Sequence, residues 1–241
     1  DQKIQVEEVQ FRAGKVGGLN QDEQLNFYTG DALKIAVSKI DKKGVPHYDL
    51  MGAQRISPLG IPIIYTVLVP GRNGDVAFSG FVELESNGKC YGSVSGITAD
   101  GRRWYYPSQW TGLHAAQSYP INRQPQPGDI IGTTKIIGTT FKVSNNKEEL
   151  WALNAFSGQI YLFTTDGLFV TALFKHGYFA KPNPLKAERG IPMDNYTSDG
   201  EGFWQTITKT ADGNVYVQAM NHTSSINRVD GLDSLQRLPL Q

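Results

Sequence analysis

Apolar residues in this chain fall into short runs separated by glycine, aspartate and asparagine, a pattern of strands and turns. The clearest stretch runs from Glu149 to Phe174. Its three runs, Leu150–Ala155, Gln159–Thr164 and Leu168–Phe174, are broken by Ser157-Gly158 and Asp166-Gly167. Asp-Gly between apolar runs favours a tight hairpin, because both residues tolerate positive φ. The pattern predicts an antiparallel meander. A second meander is predicted from Ile61–Val69, Val76–Glu85, Cys90–Thr98 and Arg103–Tyr106, with turns at 72–75, 86–89 and Asp100-Gly101. The segment IIGTTKIIGTTF (130–141) reads as a further strand pair, and Phe203–Leu238 as a last meander. Leu33–Ile40 is predicted as a strand rather than a short helix, because Gly44 and Pro46 follow it, with Val45–Met51 as its return. No amphipathic helix is predicted.

Two stretches interrupt the strand pattern. Residues 107–129 hold Pro107, Pro120, Pro125 and Pro127, which forbid a regular ladder; residues 175–202 hold Pro182, Pro184 and Pro192. Long loops are uncommon in compact β domains and tend to be functional. At the N-terminus, Ile4, Val6, Val9 and Phe11 lie at strand spacing, and a polar linker follows from Gly14 to Gln24. The expected organisation is an N-terminal strand and linker over 1–30 and a β domain over 31–241.

The turns repeat. Thr210-Ala211-Asp212-Gly213 copies Thr98-Ala99-Asp100-Gly101, and Thr164-Thr165-Asp166-Gly167 is close. On the elements ALNAFSGQIYLFTTDGLFV (152–170) and TADGNVYV (210–217), the chain resembles β-propellers of the loosely repetitive kind found in secreted bacterial proteins. The resemblance covers roughly 60–230. It implies an all-β fold of about four meander blades, at 30–57, 61–106, 130–175 and 202–238, and an extracytoplasmic location. Two versions fit: a small closed ring whose last blade the N-terminal strand completes, or the C-terminal part of a larger ring completed by another chain. A β-sandwich is the alternative. There is no Trp-Asp strand ending and no S-x-D-x-G-x-T-W box, so the resemblance assigns no catalytic residue.

Composition narrows the partners. The 241 residues carry 23 basic and 23 acidic side chains, a balance that argues against binding nucleic acid through bulk charge. Cys90 is the single cysteine, so neither an internal disulfide nor a thiolate zinc cluster can form. No apolar run reaches membrane-span length. The opening Asp1, in place of Met, points to a processed chain or a piece of a longer one.

Candidate chemistry concentrates in the two loops and one turn. His114, His176 and His222, with Arg189 and Glu201, would form a general acid/base site if the loops converge. For each histidine alone, a surface or capping role is the simpler reading, as it is for His47. Trp110, Tyr178 and Tyr196 are candidates to stack on sugar faces, and Arg189 to pair with a uronate. Asp194, Asp199 and Glu201 could hold calcium, though their spacing is not that of an EF-hand. Asn195-Tyr196-Thr197 and Asn221-His222-Thr223 match the glycosylation pattern. Two functions are therefore expected: a propeller scaffold that binds a protein partner or a polysaccharide, alone or within a larger assembly; or a polysaccharide lyase or glycoside hydrolase.

Overall fold

The structure, a computed structural model, describes residues 19–30, 32–56, 63–83, 90–107, 110–111, 119–120, 133–143, 147–155, 159–174, 205–220 and 224–238, with Val9, Ile130 and Arg189 singly. Among them there is no α-helix; strands account for the regular structure apart from 3-10 turns at Leu50–Gly52 and Leu232–Ser234. The chain begins with β1 (Leu19–Gln21), β2 (Phe27–Thr29) and β3 (Leu33–Ile35). It leaves that sheet at Ala36 for a hairpin of β4 (Val37–Ile40) and β5 (Pro46–Tyr48), then returns to pair β6 (Gln54–Arg55) with β3. Two departures from the sequence reading occur here: residues 19–21, read as linker, form a strand, and Leu33–Ile40 divides between two sheets.

The second sheet is a four-stranded antiparallel meander of β7 (Ile63–Pro70), β8 (Val76–Glu83), β9 (Cys90–Ile97) and β10 (Arg103–Pro107). Next come the short β11 (Trp110–Thr111) and β12 (Tyr119–Pro120), which extend the edge of the third sheet. That sheet's body is the meander β13 (Thr133–Val143), β14 (Glu148–Ala155), β15 (Ile160–Thr164) and β16 (Phe169–Leu173). The fourth sheet comprises β17 (Thr206–Lys209), β18 (Val215–Met220) and β19 (Ser224–Val229). Apart from the Thr111–Thr133 bridge, which is parallel, the pairings are antiparallel, and no described sheet closes on itself. The segment read as a strand pair over 130–141 is instead one strand, β13. Its Gly138-Thr139-Thr140, which has turn composition, is absorbed as a bulge opposite Trp151 alone.

Side-chain alternation explains how the sheets stack. Successive residues of a strand face opposite sides, and both faces of β14 and β15 are apolar. On one face Leu150, Ala152, Ile160 and Leu162 pack with Ile207, Val215 and Val217 of the fourth sheet. On the other, Trp151, Leu153, Tyr161 and Phe163 pack with Val69, Ala77 and Val94 of the second. The far face of the second sheet, through Leu68, Val76 and Phe78, meets Tyr28 and Ala32 of the first. Four sheets thus follow one another face to face in chain order. The first strands of successive sheets, β1, β7, β13 and β17, make the closest approaches.

An aromatic column fixes the spacing of the second and third sheets. Trp151 stacks between Trp104 (5.9 Å) and Phe163 (4.7 Å), and Tyr106 tilts onto Phe163 at 5.3 Å. The buried Trp151 Nε1 donates to Thr164 O at 3.0 Å. Gly167 is needed beneath Trp104: its φ is +96, and a Cβ there would lie 2.5 Å from the indole.

Meander connectivity sorts the connections between two ends of the stack. At one end lie the turns after β7, β9, β15 and β17, together with the end of β13 and the start of β14. At the other, β10 ends opposite Ser93, β13 begins opposite Ala155, β16 ends opposite Ile160 and β18 hands over to β19.

Replacing Trp151 by alanine removes the fully buried ring stacked between Trp104 and Phe163 and leaves a cavity in the core. The expected loss is about 3–5 kcal/mol, measured by urea denaturation, with far-UV CD of the native baseline unchanged.

Candidate functional site

Five turns, at 41–45, 71–75, 98–102, 164–168 and 210–214, share one backbone design with glycine at its positive-φ position. In each, the first residue's N–H donates to the carbonyl four residues on, and a glycine at positive φ donates back to the first residue. This is a type I turn closed by a left-handed glycine. In the three Thr-x-Asp-Gly turns, the threonine hydroxyl donates to the aspartate two residues later. These bonds hold the Asp100 and Asp212 carboxyls below their ordinary range.

Three of these turns, 71–75, 98–102 and 164–168, with the residues around them, build a polar cleft of about 570 Å³ at the turn end of the stack. Asp75 is its buried centre, 3% exposed. Its carboxylate accepts from Asn73 Nδ2 (2.8 Å), Ala99 N (2.8 Å) and Thr165 Oγ1 (2.8 Å), tying three turns together. A buried carboxylate is tolerated only when so satisfied. Glu149 accepts from Arg72 N at 3.0 Å and from Thr140 Oγ1 at 2.6 Å, linking the second and third sheets. Arg72 Nε reaches Glu23 of the first sheet at 2.7 Å, and Lys209 Nζ of the fourth donates to Lys142 O of the third at 2.7 Å.

The strongest element is a clasp from the C-terminal segment. Leu232 and Leu235 pack on the core between the third and fourth sheets. Beyond them Arg237 forks onto two carboxylates: Nε and Nη2 bind Glu148 at 2.7 and 2.8 Å, and Nη1 and Nη2 bind Asp166 at 2.8 and 2.9 Å. Bidentate pairs of this kind are the strong ones. Arg237, together with the Thr164 hydroxyl, brings the Asp166 carboxyl from its ordinary 3.8 to about 2. The two carboxylates in turn hold the guanidinium far above its usual range. Asp166 stays ionised at ordinary pH, and both acids of this clasp have lone pairs committed to protein donors. That chemistry suits a structural weld better than proton transfer.

The residues singled out in the sequence lie elsewhere. His114, His176, His222, Glu201, Asp194, Asp199, Tyr178 and Tyr196 fall outside the described residues. Trp110 begins β11, paired with Pro120. Arg189 is exposed. His47 lies on the β4–β5 hairpin, its Nε2 3.4 Å from Asp41 Oδ2. Among the described residues no three His, Cys, Asp or Glu side chains are grouped to hold a metal, and no helix is long and apolar enough to cross a membrane. Sequence reasoning missed Asp75, Glu148, Glu149 and Arg237. The repeated Thr-x-Asp-Gly turns were the one local signal for this end, and they identify turns, not the links between them.

Arg237→Gln is expected to cost roughly 1–2 kcal/mol, since Glu148 and Asp166 are left partly buried without their cation. A carboxyl whose folded pKa lies below its unfolded value stabilises at high pH and loses that contribution as pH falls. For Asp166 the loss runs from about pH 4 down to about 2. In Arg237→Gln the Asp166 part of that loss is expected to be absent, so the gap in melting temperature between wild type and variant is expected to close as pH falls through that window, as read by thermal melts.

No protein-family model matches the sequence, and no curated protein is significantly similar to it.

Proposed function

We propose that the chain is a propeller-like binding scaffold of the secreted bacterial type, one that presents its long interstrand segments to a polysaccharide or a protein partner outside the cytoplasm. The observation that carries this reading is the order of the stack. Successive meanders pack face to face with their first strands closest, as blades do around an axis. At the turn end, side chains cross-link neighbouring sheets, which makes a rigid support. The segments 108–132 and 175–204 depart from β10 and β16 and rejoin at β13 and β17, at the other end. A neighbouring chain that completes the ring belongs to this proposal.

One observation favours the enzyme as a second reading. The strand termini flanking His114, His176 and His222 all belong to that same other end, so a shared mouth is compatible with the topology.

Retention of the full chain on immobilised acidic and neutral polysaccharides tests the first reading, with native mass spectrometry for protein partners. The scaffold reading expects retention without release of reducing ends or unsaturated uronates. It expects Trp110→Ala and Tyr178→Ala to weaken retention about tenfold, the cost of an aromatic anchor, while His114→Ala, His176→Ala and His222→Ala leave it unchanged. Turnover that these histidine variants abolish would overturn it in favour of the enzyme. No retention and no partner complex would overturn both.

A further inference from the structure

A second cavity, of about 380 Å³, lies beside the polar cleft, between the bulge of β13 and the β17–β18 turn. Its construction differs from that of the cleft. Arg72, Lys142 and Lys209 line it, with Thr139, Thr140 and Thr208, and no carboxylate does. Arg72 and Lys142 also line the cleft, so the two spaces adjoin along them.

The backbone has been shaped to open this space. Gly138, Thr139 and Thr140 oppose Trp151 alone, so β13 leaves its ladder with β14 there. Gly138 has φ +66, and a Cβ on it would lie 2.4 Å from Ile207 O. Only glycine lets β17 come this close to the bulge. Thr139 is turned out to solvent and Thr140 is half-buried. Bulges of this kind re-aim side chains and concentrate beside binding sites.

The charges point the same way. Lys209 Nζ rests on a carbonyl, that of Lys142, and among the described residues neither lysine is paired with a carboxylate. Of the acids nearby, Glu23 is held on Arg72 Nε, and Glu149 is held by Arg72 N and Thr140 Oγ1. The cavity is left with a surplus of positive charge and hydroxyl donors in a chain whose formal net charge is zero. Like charges gathered in one concavity repel, and an anion placed among them relieves the repulsion.

We propose that this cavity binds a small oxyanion, a phosphate, sulfate or carboxylate group, with Lys142 and Lys209 supplying charge and Thr139 and Thr208 supplying hydroxyl donors. The site is at the turn end and is independent of the polysaccharide reading, which concerns the other end.

Isothermal titration of the full chain at low ionic strength, with inorganic phosphate, inorganic sulfate, glucuronate and neutral glucose in separate runs, tests it. The expected result is saturable one-site binding of at least one anion, no binding of glucose, and weakening by added sodium chloride. Which anion binds most tightly identifies the group. The double variant Lys142→Gln/Lys209→Gln is expected to bind about tenfold more weakly or not at all. Glutamine at 209 keeps a donor for the Lys142 carbonyl, and far-UV CD with a thermal melt confirms that the variant folds. Lys147→Gln, outside this cavity, is expected to bind as the parent does. No saturable binding of any of the three anions would overturn the proposal, as would equal binding by the folded double variant.

Discussion

The structure depends on one constraint: β14 and β15 are apolar on both faces. Leu150, Trp151, Ala152 and Leu153 are all fully buried, as are Ile160, Leu162 and Phe163. A strand at a wet surface alternates apolar and polar; these do not, so the sheet that holds them must be covered twice. Its two neighbours bring opposite contributions. The fourth sheet offers aliphatic residues to Leu150 and Leu162, whereas the second offers the aromatic column to Trp151 and Phe163. At about 25 cal/mol per Å² of apolar surface, non-directional burial of this kind dominates the gain from folding. It does not by itself set one sheet's rotation on the next.

Orientation is set by directional bonds at the turn end. Each link is modest, since exposed ion pairs contribute about 0–1 kcal/mol. Their arrangement matters more than their sum. Asp75 joins two turns of its own sheet to one of the next, Glu149 grips the backbone of Arg72, and Arg237 ties the C-terminal segment to the third sheet. The Thr-x-Asp-Gly design makes this practicable. By closing each hairpin with its own threonine and aspartate, it holds the turn still while neighbouring side chains bond across sheets.

Much of the fold was legible because its determinants are local. Alternation and Asp-Gly turns are read within a few residues, and β8, β9, β14, β15 and β18 fall where the pattern puts them. The failures have a common cause. Gly138-Thr139-Thr140 has turn composition, yet it sits within a continuous strand because β17 needs close approach at Gly138. Leu33–Ile40 has one apolar pattern but divides at Ala36 between two partners. Phe169 belongs to the apolar run Leu168–Phe174, yet it is half exposed and touches Tyr161 and Phe163 of its own sheet. The polar lattice was not legible at all. Its bonds join residues far apart in sequence, 90 positions for Asp75 and Thr165, and an aspartate in a turn looks the same whether or not another sheet arrives above it.

The two ends of the stack therefore carry different burdens. At the turn end, carboxylates and cations are mostly committed to one another, and such groups are poor candidates for chemistry because their donors and lone pairs are already used. The exception is informative. Where β13 bulges towards β17, the lattice changes character: hydroxyls and cations line a space without acids. An ordinary weld would set a carboxylate there, as Asp75 and Glu149 are set a short distance away. Keeping Lys142 and Lys209 without one costs stability through repulsion, and the fold adds a positive-φ glycine to hold the bulge open. An anion between Lys142 and Lys209 would offset that repulsion, and this is the physical ground on which the oxyanion proposal stands.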